Sequence, residues 1–412
     1  MTLTNAPTPV KTEAALDPVD ASKPKWGWRV GLTSIRSGDL GPLPVLVGLA
    51  LIWAVMQSLN GNYLTSRNLS NMVLQMGVVG VLALGVVLVL LVGEIDLSLG
   101  ATAGVAASVM GVGINDHGWP VPVAVAAAVL TGAAIGLLQG GVVVLVGVPS
   151  FIVTLGGLLA WQGVQLGLLG SVGERRLTSQ FIQGIASNYL SRPLAWSLLV
   201  ATMAVLLLAR LSRRRRRRRA GAHVSGPAPL AVGLLATASG GAAVVLYLDD
   251  YLGVPWLLVL LLGLTWLLTL LTRRTPFGRH LYAIGGNAEA ARRAGIPVGA
   301  TRLVVFALTS TLAGVAGVVA ASRQFSVSNG TGGGTLLLEA IAAAVIGGAS
   351  LFGGRGRPYQ ALLGALVIVS VSNGLDLLGE PSSVKDVATG AILVVAVSLD
   401  SLSRRRRAAT GT

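Results

Sequence analysis

RRTPFGRHLYAIGGNAEAARRAGIPVGATR, residues 273–302, is a polar and basic island between two strongly apolar runs, and its middle spells a very short helix with both ends marked. Asn287 is a good N-cap; Glu289 falls in the first turn and Arg292 and Arg293 in the last, so all three complement the helix dipole. Gly295 stands where a left-handed C-terminal residue is wanted, Ile296 offers the apolar contact beyond it, and Pro297 forbids continuation. A helix of about seven residues spans roughly 10 Å and does not persist alone in water. Something must pack on it. The island is therefore expected to be a docking helix that carries force between membrane-embedded helices and a soluble partner.

The flanking runs set the class. The 412-residue chain is 53% hydrophobic and 11% charged, with a mean hydropathy of +0.75, whereas one bilayer crossing needs about 20 apolar residues. Its 55 glycines suit close approach of membrane helices. Without a cysteine there is no disulfide, thiolate metal site or cysteine nucleophile. The three histidines (His117, His223, His280) are too far apart in sequence to suggest a metal centre. No catalytic constellation of His, Asp, Glu and Ser is found.

Residues 1–41, rich in Pro, Thr, Lys and Asp, read as a disordered cytoplasmic tail and not a cleaved signal peptide. Twelve apolar runs follow, near 42–59, 72–92, 97–114, 121–146, 149–170, 194–211, 228–247, 255–271, 303–321, 337–352, 359–378 and 384–402. The expected fold is an all-α polytopic bundle of about 10–12 transmembrane helices occupying 42–402, some of them short or broken, with 337–352 a re-entrant candidate. With the N-terminus inside and twelve crossings, 25 of the 31 basic residues fall on the inner side, so both termini are expected in the cytoplasm. The run Arg213 to Arg219, within a basic linker at 212–227, and Arg404 to Arg407, in a basic tail at 403–412, read as anchors on anionic lipid headgroups. Nucleic acid is not the expected partner.

Within the runs, breaks carry the information. GEIDLSLG (93–100) interrupts an apolar stretch from Met72 to about Ile114, too long for one crossing, so the chain turns there. Glu94, Asp96 and Ser98 are either part of a substrate path or a cap in which Asp96 opens the next helix with Ser98 in support; the two roles are compatible. VPSFIVTLGG (148–157) starts a helix at Pro149 and Ser150, with Phe151 and Thr154 following. Thr154, Gln162 and Gln165 line a wet cavity or bond across helices. The outer segment 171–192, charge mixed with amphipathic pieces, reads as a stretch lying in the interface, a platform for an external partner or a solvated loop, and SVSNGTGGGT (326–335) as a flexible outer loop. Glu339 stands at the mouth of a small-residue helix punctuated by Gly347, Gly348, Gly353 and Gly354, the kind of interrupted segment that marks a transport site. EIDLSLGATAG (94–104) and EAIAAAVIGGAS (339–350) each open such a helix with an acid, which leaves an internal duplication open.

These motifs, with YLTSRNLSN (63–71), TPFGRHLYAIGGNAEAARRAGI (275–296) and NGLDLLG (373–379), resemble the ribose/xylose-type permeases of ATP-binding-cassette importers. The insert with DDYLGVP (249–255) is most similar to the xylose-transport permeases among them. The resemblance runs from about Tyr63 to Asp400. It implies that 273–302 is the cytoplasmic loop seating an ATPase, with Asn287, Ala288, Glu289, Ala290, Ala291, Arg292 and Gly295 as contact candidates. It further implies a pathway built from two copies of the chain in a bacterial plasma membrane, and an extracytoplasmic sugar-binding protein that delivers the substrate. Glu94, Asp96, Ser98, Phe151, Thr154 and Glu339 are the candidates for the translocation pathway. Two departures stand out. Leu337, Leu338 and Glu339 occupy positions where Glu-Leu-Asp is usual, and Glu94 replaces a common glycine.

The chain has no G-x-x-x-x-G-K-[ST], and none of its four lysines follows a glycine, so it carries no Walker A site and no cofactor is expected on it. ATP would be bound by the partner. The rival reading is a secondary, ion-coupled transporter, which would place acids inside several spans; here they cluster at breaks and loops.

Overall fold

The computed structural model describes residues 43–221, 226 and 228–410; the tail expected at 1–41 and part of the linker at 212–227 lie outside them. In chain order come α1 (Leu43–Leu59), α2 (Ser66–Leu91), α3 (Leu99–Asn115), α4 (Val121–Gly141, extended by a π turn to Val146) and α5 (Ser150–Leu169). A mixed segment follows, with β1 (Glu174–Arg176), α6 (Gln180–Ser187) and β2 (Tyr189–Leu190). Then come α7 (Arg192–Arg219), α8 (Ala228–Asp249), β3 (Val254–Pro255), α9 (Trp256–Arg274), α10 (Pro276–Gly286), α11 (Ala288–Arg293) and α12 (Val298–Gln324). The chain finishes with β4 (Ser326–Ser328), α13 (Leu336–Ile346), α14 (Pro358–Leu377) and α15 (Ser382–Thr410). Every apolar run has its helix. Among the described residues eight helices are long and apolar enough to cross a membrane, and α1, α3 and α13 are shorter apolar ones. The chain is an all-α polytopic membrane protein.

α2 is the central post. It is buried on all sides from Met76 to Val92, as expected of a helix that is apolar all round. α12 runs antiparallel beside it: Thr309 on α12 donates to the Gly85 carbonyl of α2, while Val78 and Val79 face Ala320 across a shared cavity. Around this pair the packing repeats. α12 packs on α3 and α4 as α2 packs on α13 and α14; α3 contacts α4 and α5 as α13 contacts α14 and α15. The set α2–α5 is thus matched by α12–α15 with its leading helix reversed. This inverted repeat gives spatial form to the echo between Glu94–Gly104 and Glu339–Ser350.

Three segments differ from expectation. The seven arginines continue α7 as helix to Arg219, and α15 likewise runs through Arg404 to Arg407. Arginine is a good helix former, and positive charge in a last turn suits the dipole. The stretch 326–335 is packed rather than flexible, with Thr331 and Gly332 buried against the start of α3. A Cβ on Gly332 would stand 2.2 Å from the Gly100 carbonyl oxygen, and its φ of +79° suits glycine, so two bare backbones make the approach. Residues 171–192 are likewise ordered. β1 pairs with β4 and β2 with β3, both antiparallel, and Arg175 forks onto Asp116 with Nε–Oδ1 and Nη2–Oδ2 both at 2.9 Å. Those bonds hold the Asp116 carboxyl below its ordinary pKa.

Candidate functional site

The island folds as its letters ask. Asn287 Oδ1 accepts from the Ala290 N–H at 2.9 Å, closing the start of α11. At the other end Gly295, at φ +81°, donates to the Arg292 carbonyl and Ile296 donates to that of Ala291, the two bonds of a Schellman cap. Glu289 pairs with Arg293 at 3.1 Å and Arg292 at 3.6 Å along the exposed side. Ala291 is buried and Ala288 half-buried against the chain's own core, so these two anchor the helix; Asn287, Glu289, Ala290, Arg292 and Gly295 are exposed. What α11 offers outward is a small polar knob six residues long.

Behind that knob three backbones meet. A Cβ on Gly285, at the end of α10, would stand 1.9 Å from the Leu91 carbonyl oxygen and 2.3 Å from the Gly354 nitrogen. Gly354 itself donates to the Leu91 carbonyl at 3.0 Å, and Tyr282 donates to that of Gly356 at 2.9 Å. The end of α2, the loop between α13 and α14, and α10 are therefore locked together beside α11. Glu94 joins them: its Oε1 lies 2.9 Å from Arg302 Nε, in a largely buried ion pair governed by charge more than by hydrogen-bond alignment. Sequence reading placed Arg302 only as the last basic residue of the island. Its partner, 208 positions earlier, had no local signal.

The break before α3 is a second polar centre. Asp96, 2% exposed, accepts from the Ser98 N–H (2.9 Å) and Oγ–H (2.6 Å). Asp96 thus closes a turn two residues long and is not itself the N-cap; α3 begins after Ser98, whose side chain makes no cap bond. The single Ser98 hydroxyl hydrogen goes to the carboxylate, so its 2.9 Å contact with the Gln139 side-chain amide is satisfied when that amide turns its NH₂ to Ser98. The amide oxygen then faces the notch at Gly157, where Trp161 Nε1 also lies. A chain of Gln139, Ser98 and Asp96 so runs from α4 to the break before α3. Asp96 Oδ2 and Thr102 Oγ1 are buried with no partner among the described residues.

The remaining candidates scatter. Thr154 is buried and donates to the Ser150 carbonyl, with the Ile95 carbonyl at 3.3 Å, which brings it to the same break. Phe151, half exposed, is not packed there with its neighbours Ser150 and Thr154. Gln165 donates to the Ser328 and Thr331 carbonyls, while Gln162 is exposed, so the pair does not share a role. Glu339 does not join Asp96's hydrogen-bond chain; it lines a cavity that does not include Asp96 and accepts from Thr335 Oγ1 at 3.0 Å. Gln139 and Trp161 were missed; a lone glutamine in the apolar run 121–146 was the available signal.

Residues 68–397 match the family model described as the branched-chain amino acid transport system / permease component, and the chain belongs to this family of membrane permeases. It is 36% identical over 396 residues to the xylose transport system permease protein XylH of Escherichia coli (strain K12), covering 94% of this chain and 98% of that one. The corresponding XylH of Haemophilus influenzae is 35% identical over 378 residues, 90% of this chain and 99% of its own. The ribose import permease protein RbsC of Escherichia coli (strain K12) is 31% identical over 360 residues, 86% and 92%. No solved structure matches this chain.

Proposed function

We propose that two copies of this chain form the membrane pathway of an importer for a neutral sugar, xylose or a related monosaccharide, powered by ATP hydrolysed on a separate subunit. The observation that carries this reading is α11: a capped knob, exposed on its outer side and set beside the meeting of α2, α10 and the α13–α14 loop. A nucleotide-hydrolysing subunit seated there biases an inward/outward equilibrium of the bundle by binding one state better than the other. An extracytoplasmic binding protein delivers sugar to the opposite end. The basic residues favour α11 and both termini in the cytoplasm of a bacterium, with the arginine extensions against anionic lipid. Sugar, and not the amino acid of the family description, is supported by the pentose permeases, whose similarity spans almost the full chain.

Co-purification of the chain with its nucleotide-binding subunit tests the reading. Glu289→Arg makes the knob wholly basic and sets positive charge against the helix N-terminus, and it is expected to remove most of the bound subunit. Full recovery of the complex overturns the assignment of α11.

A further inference from the structure

Two cavities adjoin at the end of α12 remote from α11, and we propose that they form one two-chambered site for a neutral monosaccharide, with Arg323 as the shared wall; this rests on the import reading above. The inner chamber, about 370 Å³, lies among α2, α12, α13, α14 and α15 and is lined by Gln75, Arg323, Glu339, Asp376, Lys385 and Asp386 with smaller residues. The outer one, about 400 Å³, includes Tyr189 and Phe325 beside Arg323. Both volumes suit a small molecule. α12, roughly 40 Å long at 27 residues, separates them from the coupling knob, so they face the side from which an importer is loaded.

The charge pattern selects the ligand. Three carboxylates stand with two cations, and Lys385 already sits 2.5 Å from Asp376. A free anion meets three acids, and a metal ion meets Lys385 and Arg323; among the described residues no group of ligating side chains could hold a metal. A neutral polyol fits, because each hydroxyl both donates and accepts, and this lining offers carboxylates, the Gln75 and Gln324 amides and a guanidinium. Arg323 forms no ion pair or hydrogen bond with another described residue, which leaves its donors for a ligand.

The outer chamber supplies what the inner lacks. Phe325 is the one non-glycine residue at positive φ (+54°) among the described residues, directly after α12, where glycine is the usual occupant. Leu177 N–H donates to its carbonyl at 2.8 Å where β1 and β4 close, and the ring is left 44% exposed. A bulky ring held in a strained backbone and turned to a cavity points to use of the ring: a flat apolar face for the C–H side of a sugar. The inner chamber has no aromatic lining. Its grip is accordingly weak, as a waypoint requires if cargo is to leave.

Uptake of labelled xylose and ribose by the whole assembly in proteoliposomes tests the site. Arg323→Gln and Glu339→Gln are expected to raise KM about tenfold with Vmax within about twofold. Phe325→Gly separates ring from backbone: it relieves the strain and raises the thermal midpoint, yet raises KM, while Phe325→Tyr keeps KM near that of the native chain. Unchanged KM in all three loss variants of an active assembly overturns the two-chambered site and leaves the import reading standing. A native assembly that takes up no monosaccharide overturns both.

Discussion

Asp96 and Glu339 stand at the openings of two short helices related by the inverted repeat, and their surroundings are opposite. Asp96 is sealed, with one oxygen held by Ser98 and a polar chain running behind it to Gln139. Glu339 is half-buried on a cavity wall among Arg323, Asp376 and Lys385. One architecture, used twice in opposite senses, presents one acid to a cavity and encloses the other. The difference shows which of two equivalent breaks is accessible in this conformation.

The two openings touch where Gly100, in the first turn of α3, meets Gly332 ahead of α13. Gly332→Ala pushes a methyl into the Gly100 carbonyl at a left-handed backbone position, and it should have the largest effect. Overpacking and strain together cost about 3 kcal/mol or more, read as a lowered unfolding midpoint in detergent. An unchanged midpoint would mean the openings are free to separate. Asp96→Ala strips the partner from the Ser98 N–H and hydroxyl inside the bundle and should cost about 2 kcal/mol. Glu339→Ala, at the open counterpart, should cost less than half of that; equal costs would erase the contrast.

Glu94 ties the sealed opening to the first turns of α12, beside α11, through Arg302. Glu94→Gln should therefore reduce uptake by about tenfold while the assembly continues to hydrolyse ATP, and the reversal Glu94→Arg with Arg302→Glu should recover part of the loss. Parallel loss of both activities would point to a folding defect instead. The smallest effect belongs to Asp116, on the exposed Arg175 fork. Because its carboxyl titrates below the ordinary value of about 3.9, its contribution is complete above that value and fades as pH falls through the lowered one. Asp116→Asn should remove this acid dependence and change little at neutral pH; a midpoint whose fall below pH 4 is identical in both proteins would rule the fork out as its source.

What could be read from letters alone was local. α11 needed only Asn287, Gly295, Ile296 and Pro297, because capping depends on residues within one turn of the helix end. The apolar runs became helices because no other unbranched backbone arrangement satisfies its own polar groups in lipid. Everything that depends on distant meetings was hidden: Glu94 against Arg302, Gln139 against Ser98, and Gly285 against Leu91 and Gly354. The break at 93–100 was read correctly as a turn, yet Asp96 closes that turn onto Ser98 instead of capping the next helix as its position suggested. The glycines at 330–334 read as slack, whereas Gly332 among them is small so that the backbone of α3 can come close.

The joint of Gly285, Leu91 and Gly354 also has a mechanical meaning. Side chains between two helices can switch rotamer and absorb a displacement, but here main chain bears directly on main chain. Such a bearing has almost no compliance. A fraction of an ångström imposed on the knob would reach the central post undiminished, and any residue larger than glycine would act as a shim that jams it.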